Sequence, residues 1–282
     1  MNTPPLQPDD PRLVRLGSLR DRDLRREGLL VAEGRWLARR LLESSAAEAV
    51  AIVAPRFADE FAPYADRGAE ILVAAEEALS QVAGFAFHRG ALAVARRPAL
   101  ATVESVLADP RPRQTVVVLP DTTNVENLGA IFRSAAALGV DTIFLGEQCC
   151  DEFSRRTLRV SMGAALQLRL VRSGNLAADL DALRDAGFSI AATVLDSSAT
   201  PLMQFCPPEK TALLFGSEAD GLAEHWVHAA DTQLTIPMAE GVDSLNLAAA
   251  AAIALWHVQQ NSLHTAPPRL SKEPKILPNP PK

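Results

Sequence analysis

The sequence of 282 residues lacks any long uninterrupted apolar run. A membrane-spanning helix needs roughly 18 or more such residues, and the N-terminus, MNTPPLQPDD, does not place an apolar run behind a charged start as a secretion signal does. Cysteine is scarce as well, and two of the three cysteines are the adjacent pair Cys149 and Cys150. That pattern offers neither a disulfide framework nor the spaced ligands of a zinc site. These absences predict a cytoplasmic protein with reduced, structural thiols.

Lysine is also scarce, because 24 of the 28 basic residues are arginine. The net charge of -6 excludes a uniformly basic surface, yet residues 11–40 hold nine arginines against four acidic residues, a local excess of +5. Arginine forms bidentate contacts with phosphate better than lysine does. Arg22, Arg25 and Arg26 are therefore candidates for contact with a nucleic-acid backbone, and a solvated helix face is the alternative.

Apolar patterning predicts two α/β units joined by a connector rich in proline and charge. In the second unit, short apolar runs typical of strands buried on both faces alternate with helical patterns, which favours a largely parallel sheet. These runs are 115–120, 142–145, 188–195, 211–215 and 233–237, with covering helices near 175–186 and 245–261. The predicted boundaries are a flexible N-terminus at 1–12, a first domain at 13–97, a linker at 98–114, a second domain at 115–262 and a disordered tail at 263–282.

Ligands of an open parallel sheet bind beyond the carboxyl ends of its strands. The first loop in such a position runs from Asp121 into a helix that contains Asn127, Gly129 and Arg133. A glycine in the first turn lets another backbone or a ligand approach closely. The alternative is an ordinary helix start, in which Asn124 or Asn127 caps the helix and Arg133 pairs with a carboxylate.

The second loop places Glu218 between Gly216 and Gly221, directly after an apolar strand. It is not a phosphate-binding Walker loop, because no Gly-Lys-Ser/Thr follows, and its glycine spacing differs from the dinucleotide fingerprint. Taken alone, it is most simply a turn and a helix cap.

The third loop, Ile236-Pro-Met-Ala-Glu-Gly-Val-Asp-Ser-Leu-Asn, opens an alanine-rich helix. Its backbone groups, together with Ser244 and Asn246, suit a polar ligand held without a metal. Taken alone, Ser244 is most simply the N-cap of that helix.

Together the three loops resemble, in order and context, the signature motifs of the SpoU (TrmH-like) family of RNA ribose 2′-O-methyltransferases. The segment Arg159-Val-Ser-Met-Gly-Ala resembles the stretch that these enzymes carry between motifs one and two. The resemblance is strong over 115–260. It is weaker at Val31-Ala-Glu-Gly-Arg and His88-Arg-Gly-Ala-Leu-Ala, which look like parts of an N-terminal RNA-recognition domain. The matching motif residues are Asn127, Gly129, Arg133, Gly216, Glu218, Gly221, Pro237, Ser244, Leu245 and Asn246.

The resemblance implies an α/β fold with a C-terminal trefoil-knotted parallel-sheet domain, although true knots are rare. It also implies a homodimer, with the apolar helix 245–256 in the contact. The implied cofactor is S-adenosyl-L-methionine, held by Gly216, Ile236 and Leu245 with Met238 nearby, and no metal is needed.

By the same resemblance Arg133 is the central catalytic residue. A guanidinium stays protonated in proteins, so we favour anchoring of an RNA phosphate and stabilisation of a developing alkoxide over proton abstraction. Asn127, Glu218, Ser244 and Asn246 would orient the ribose, Arg133 and the loops. Family members often have proline or glycine where this chain has Val125 and Glu126. The carboxylate of Glu126 would either repel RNA phosphate or pair with an arginine.

Two other functions remain open from the sequence. A non-catalytic RNA-binding protein could keep the fold, although the intact motif residues argue against it, and a generic nucleotide-binding protein would require three accidental matches. His225 and His228, three apart on a predicted helix, are too few ligands for a metal site. A separate recognition domain slightly favours ribosomal over transfer RNA as the substrate.

Overall fold

The computed structural model describes residues 5–17, 21–44, 48–83, 87, 89–218 and 220–263. The disordered tail predicted for 263–282 lies outside these residues apart from Leu263, which ends the last helix. At the other end, Leu6 forms a bridge with Ala74 and a helix begins at Pro11. Ordered contacts of the first unit therefore begin before residue 13, because Leu6 packs against its apolar core.

The first unit is built on a mixed four-stranded sheet. Its strands are β1 (Leu29–Glu33), β2 (Val50–Val53), β3 (Glu70–Val73) and β4 (Ala91–Arg96). They lie in the order β1-β4-β2-β3, with β4 antiparallel to both neighbours and β2 parallel to β3. The helices of this unit are α1 (Pro11–Gly17), α2 (Asp21–Arg26), α3 (Arg35–Ser44), α4 (Ala58–Phe61) and α5 (Glu76–Ala83).

The second unit is built on a seven-stranded sheet in which every neighbouring pair is parallel. This confirms the parallel sheet expected from the buried apolar runs. The strand order is β7-β6-β5-β10-β8-β11-β9. The strands are β5 (Gln114–Leu119), β6 (Thr142–Leu145), β7 (Arg169–Arg172), β8 (Ser189–Thr193), β9 (Thr200–Pro201), β10 (Lys210–Leu214) and β11 (Thr232–Thr235).

Helices cover both faces of this sheet. Residues of α7 and α11 pack on one face, and residues of α6, α9 and α10 pack on the other. Within the described ranges, no helix combines the length and apolar character needed to cross a membrane. The helices are α6 (Val103–Leu107), α7 (Val125–Ala137), α8 (Arg155–Val160), α9 (Leu176–Asp185), α10 (Glu224–His228) and α11 (Leu247–Leu263).

The connector predicted at 98–114 is more structured than its composition indicated. Thr102 caps α6 by accepting a hydrogen bond from the backbone N–H of Ser105, and Val106 is buried against the large sheet. The backbone N–H of Ala101 donates to the carbonyl of Leu170 in β7. Backbone pairing and one buried valine thus fasten this segment to the second unit.

Partly buried ion pairs join the two units. Arg97, just after β4, forms a bidentate pair with Asp151 in which both N···O distances are 2.6 Å. Glu33, at the end of β1, is buried and accepts from Arg155 and Arg159 of α8. Apolar residues of both units form one continuous cluster beside these pairs. The first unit is therefore held against α8 rather than tethered by the connector alone.

Candidate active site

Asn127 joins the three loops singled out in the sequence. The side chain of Asn124 caps α7 by accepting from the backbone N–H of Glu126, which leaves the amide of Asn127 available for other contacts. Asn127 is buried, and its Nδ2 donates to Oε1 of Glu218 at 2.6 Å. Its Oδ1 accepts from Nδ2 of Asn246 at 2.9 Å. One buried amide therefore connects the loops that follow β5, β10 and β11.

The loop after β10 turns back on itself at Gly216. Ser217 and Gly221 form an antiparallel bridge, and the Oγ of Ser217 accepts from the backbone N–H of Asp220. A Cβ at position 216 would lie 2.1 Å from the carbonyl carbon of Gly221. Gly216 is required because the returning backbone occupies the space of a side chain.

The loop after β11 ends at an asparagine cap. Oδ1 of Asn246 accepts from the backbone N–H groups of Ala248 and Ala249, at the start of α11. The interpretation of Ser244 as the N-cap is therefore wrong, since Asn246 meets these amides first and α11 begins at Leu247. Ser244 is exposed, and its side chain makes no hydrogen bond to another residue of the described chain.

The four residues expected to hold a cofactor lie at the same edge of the sheet. Gly216 follows β10 and is buried, while Ile236 and Met238 follow β11 and are half-buried. Leu245 is 37% exposed. The two strands are separated in the sheet by β8 alone. The loops therefore place backbone groups and partly covered apolar surface at one edge of the sheet.

Arg133 lies apart from the hydrogen-bonded trio of Asn127, Glu218 and Asn246. It is exposed on α7, and its side chain makes no hydrogen bond or ion pair with another described residue. The alternative in which Arg133 pairs with a carboxylate is therefore not what the structure shows. Its guanidinium is open to an anionic group from outside the chain.

Gly129 allows α8 to pack closely on α7. A Cβ at this position would lie 2.8 Å from Cβ of Val160 and 3.1 Å from the carbonyl oxygen of Thr157. The close approach expected from the sequence is made by another helix of the same chain. Glu126, one turn earlier, forms an ion pair with Arg156 of α8. The carboxylate beside Asn127 is thus paired with an arginine, which was one of the two alternatives.

Asp121, which is not one of the motif residues, lies in the same loop as Asn124. Its Oδ1 is buried without a hydrogen-bond partner in the described structure, as is the hydroxyl of neighbouring Thr122. The pKa of Asp121 is raised from its ordinary value, first by desolvation and then by the charges of Glu218 and Asp220. Its place directly after β5 was visible in the sequence. A carboxylate oxygen in this position can accept a hydrogen bond from a bound molecule.

His225 and His228 lie on α10. Among the described residues, no group of three or more histidine, cysteine, aspartate or glutamate side chains could hold a metal ion. His225 instead lies against Trp226, with ring centroids 4.3 Å apart. The cysteines Cys149, Cys150 and Cys206 are free thiols, and desolvation raises the pKa of Cys149 to about 11 and that of Cys150 to about 12.

The three arginines expected to bind nucleic acid lie on α2. The side chains of Arg22 and Arg26 are 76% and 79% exposed, and both lie within 4 Å of Asp23. Arg25 is exposed as well, and its charge helps to lower the pKa of Asp151. The structure therefore places this basic helix near the ion pairs that join the two units, with its guanidinium groups largely in solvent.

Comparisons with known proteins agree with this geometry. Residues 114–256 match the SpoU rRNA Methylase family. An uncharacterized tRNA/rRNA methyltransferase of Mycobacterium tuberculosis is 36% identical over 269 residues, 92% of either chain. The 23S rRNA (guanosine(2553)-2'-O)-methyltransferase of Bacillus subtilis is 30% identical over 194 residues, which cover 69% of this chain and 74% of the other. An AdoMet-bound rRNA methyltransferase from Sinorhizobium meliloti shares the fold, with a TM-score of 0.77 at 24% identity over 89% of this chain and 95% of that chain.

Proposed function

Because this chain belongs to the SpoU rRNA methylase family, we propose that it transfers a methyl group from S-adenosylmethionine to the ribose 2′ hydroxyl of a nucleotide in structured RNA. The observation that carries the proposal is the Asn127 amide, which joins all three motif loops through Glu218 and Asn246. Ribosomal RNA is favoured over transfer RNA, since the 30% identical Bacillus subtilis relative is named for a 23S rRNA activity. The trefoil knot implied by the resemblance stays a prediction.

The residues at the carboxyl ends of β10 and β11 fit S-adenosylmethionine. The backbone of the tight Gly216 turn and the half-buried Ile236 and Met238 would contact its adenosine portion, with Leu245 at the rim. The unpartnered carboxylate oxygen of Asp121 supplies an acceptor for a cationic or hydroxyl donor. The bound sulfonium supplies a methyl group that is already activated for transfer, so the protein does not need a metal for that purpose.

Positioning is the main task left to the chain. Asn127 fixes the carboxylate of Glu218 and the amide of Asn246 relative to each other, so the polar groups that orient the ribose are preorganised. Ser244, exposed beside them, is available to the ribose or phosphate. Arg133 would anchor an RNA phosphate and stabilise the negative charge that develops on the 2′ oxygen as its proton leaves.

The apolar surface near α11 supports a homodimer. Ile253 and Trp256 are 41% and 54% exposed and lie three residues apart on one helix face, and Val242 and Leu245 are exposed in the preceding loop. Apolar side chains grouped in this way mark an interaction surface. We expect I253E/W256E to sediment as a monomer where the unaltered protein sediments as a dimer. An unchanged dimer would place the contact elsewhere.

The α2 arginines support RNA binding by the first unit. We further propose that the protein acts in the cytoplasm, where it would meet its RNA substrates. Their exposed guanidinium groups can reach phosphates without breaking a buried ion pair. The competing function is an RNA-binding protein without turnover. The intact hydrogen-bonded trio and the free Arg133 favour the enzyme.

The decisive experiment is transfer of radiolabelled methyl from S-adenosylmethionine to total RNA from a strain that lacks this gene, followed by nucleoside analysis. Label in one 2′-O-methylnucleoside is the expected result. Binding of the cofactor and of RNA without incorporation of label into that total RNA would favour the non-catalytic function. Label on a base instead of a ribose would overturn the proposed reaction.

A further inference from the structure

An exposed tryptophan lies at the junction of the two units. Trp36 and Arg40 are one turn apart on the outer face of α3, whose inner face buries Leu37 and Leu41. Trp36 is 46% exposed, and the guanidinium carbon of Arg40 lies 4.2 Å from its ring centroid. The arginine covers part of the ring and holds it in place, since cation–π contacts of this kind are attractive.

Arg40 also reaches across to the second unit. Its Nη1 donates to the carbonyl oxygen of Met162 at 2.8 Å. Met162 is 38% exposed and has a φ of 53°, a left-handed conformation that is uncommon for a residue with a side chain. The next residue, Gly163, passes so close to α3 that a Cβ there would lie 3.1 Å from side-chain atoms of Arg40 and Leu37. Trp36, Arg40 and Met162, here called the junction platform, thus form a continuous surface across both units.

The charge of Arg40 is not held in an ion pair among the described residues. Within the described chain it forms no ion pair with a carboxylate, whereas Arg39 beside it pairs with both Glu43 and Glu60. Burial lowers the pKa of Arg40 from the ordinary arginine value, and the charge of Glu43 offsets that effect only in part. A partly buried cation of this kind favours an anionic ligand.

The packing of α7 on α8 connects Arg133 to the junction platform. Arg156 of α8 pairs with Glu126 and Val160 contacts Gly129, so α8 and α7 run in the same direction. Arg133 is one turn beyond Gly129 on the same face of α7, which also packs on residues 164–166. The loop that contains Met162 connects α8 to those residues. Met162 of the platform and Arg133 therefore lie on two elements that pack together, the α8 loop and α7.

We propose that the junction platform binds one unpaired RNA nucleotide next to the methylated one, with its base stacked on Trp36 and its phosphate paired with Arg40. Unpaired bases stack on aromatic rings and on guanidinium planes, whereas bases within a duplex are not accessible for such contacts. An exposed aromatic ring, an exposed methionine and an unpaired cation suit a nucleotide better than a purely apolar partner. The assignment rests on the proposed function, because Arg133 marks where the target ribose would lie.

The test uses the full chain and two RNA probes, a single-stranded 12-nucleotide oligoadenylate and a 12-base-pair RNA duplex. In a W226F/W256F protein, Trp36 is the sole tryptophan, and we expect oligoadenylate to quench its fluorescence while the duplex does not. W36A should weaken oligoadenylate binding about 5- to 100-fold, as expected for the loss of one base–aromatic stack. W36F should retain most of the affinity, and M203A, which removes another exposed apolar side chain, should bind like the unaltered protein.

Methyl transfer to total RNA separates the two proposals. We expect W36A to raise KM for RNA while kcat and the affinity for S-adenosylmethionine stay unchanged. The platform would be overturned if W36A left KM and oligoadenylate affinity unchanged. It would also be overturned if W36A changed the oligomeric state and not RNA binding. Either result would leave the proposed function standing. Quenching of Trp36 by oligoadenylate in a protein that methylates no RNA would support the platform and count against the proposed function.

Discussion

Asn127 and Asn246, 119 positions apart in the sequence, are joined by a 2.9 Å hydrogen bond from Nδ2 of Asn246 to Oδ1 of Asn127. The same Asn127 side chain holds Glu218 through its own Nδ2. The amide of Asn127 is buried, whereas Glu218 and Asn246 reach it from the exposed side. A single side chain thereby sets the relative position of the loops after β5, β10 and β11.

Replacing that side chain tests its role. We expect N127A to cost about 1–3 kcal/mol of stability, since it removes two hydrogen bonds made by a buried amide. It should also weaken binding of S-adenosylmethionine measured by calorimetry. N124A is the matched control. It should remove the α7 cap and cost about 1 kcal/mol while leaving cofactor affinity intact. Equal cofactor affinity in N127A and the unaltered protein would show that the loops do not depend on the bridge.

The tight turn after β10 gives a second prediction. In G216A the new methyl group meets the backbone of Gly221, so the turn must open at a cost of about 1–3 kcal/mol. Binding of S-adenosylmethionine should fall with it. G174A is the control, because no atom lies within 4 Å of its added Cβ. A G216A protein with native melting temperature and cofactor affinity would contradict the strain argument.

Arg133 can be separated from cofactor binding. R133A should bind S-adenosylmethionine normally, because the side chain contacts no described residue of the cofactor loops. Methyl transfer should nevertheless fall about 100- to 1000-fold, because the charge on the 2′ oxygen is no longer stabilised. R113A removes an arginine at the opposite edge of the sheet, where β5 begins, and should keep full activity. Substantial turnover by R133A in single-turnover assays would end the catalytic assignment.

Electrostatic binding by α2 is tested by salt dependence. R22A/R25A/R26A should weaken RNA binding and reduce the slope of log affinity against log salt by about 1 for each RNA phosphate that the protein no longer neutralises. The control R12A/R56A/R96A removes the same charge from three other exposed arginines of the first unit. If both triple variants behave alike, the effect reflects net charge, and α2 is a solvated helix face.

The junction between the units should respond to acid. Burial raises the pKa of Asp151, but hydrogen bonds from Arg97 and the backbone of Phe153, with the charge of Arg97, lower it below the ordinary value overall. The Arg97–Asp151 pair therefore makes its full contribution to stability at neutral pH. Its contribution to stability decreases as the pH falls below about 3.9 toward the lowered value.

Substitution at this pair should have a large effect. R97A should cost up to about 3–5 kcal/mol at pH 7, because the largely buried carboxylate of Asp151 would lose its cationic partner. R97A/D151N should cost less than R97A alone, and its stability should vary less with pH in urea titrations from pH 3 to 7. Additive effects of the two changes would mean that the residues do not interact.

The sequence patterns predicted much of the fold but not the contacts between distant loops. Continuous apolar runs predicted β5, β6, β8, β10 and β11 because these strands are buried on both faces. The strand β7 was missed, since Arg-Leu-Val-Arg at the sheet edge has an apolar run of two residues. Glycine at 216 and the asparagines were identified as motif residues. Their hydrogen-bonded bridge depends on strand order, which local patterning does not encode.

Local competition explains two further differences. Both Ser244 and Asn246 are good helix caps, and the choice between them depends on where the chain leaving β11 turns into α11. Similarly, proline and charge between 98 and 114 predicted a linker, whereas α6 is stabilised by burial of Val106 against a sheet that is formed by later residues. In both cases the deciding contacts are tertiary.

The buried pairing of Glu33 with Arg155 and Arg159 has a geometric consequence for substrate choice. Because the buried carboxylate of Glu33 would lose both arginines on separation, these ion pairs oppose a change in spacing between the first unit and the methyl-transfer loops. We expect an RNA that contacts both α2 and these loops to need a fold that matches this spacing. Two RNAs with identical nucleotides around the target but different helix lengths between the contact points would be told apart by measurement of length.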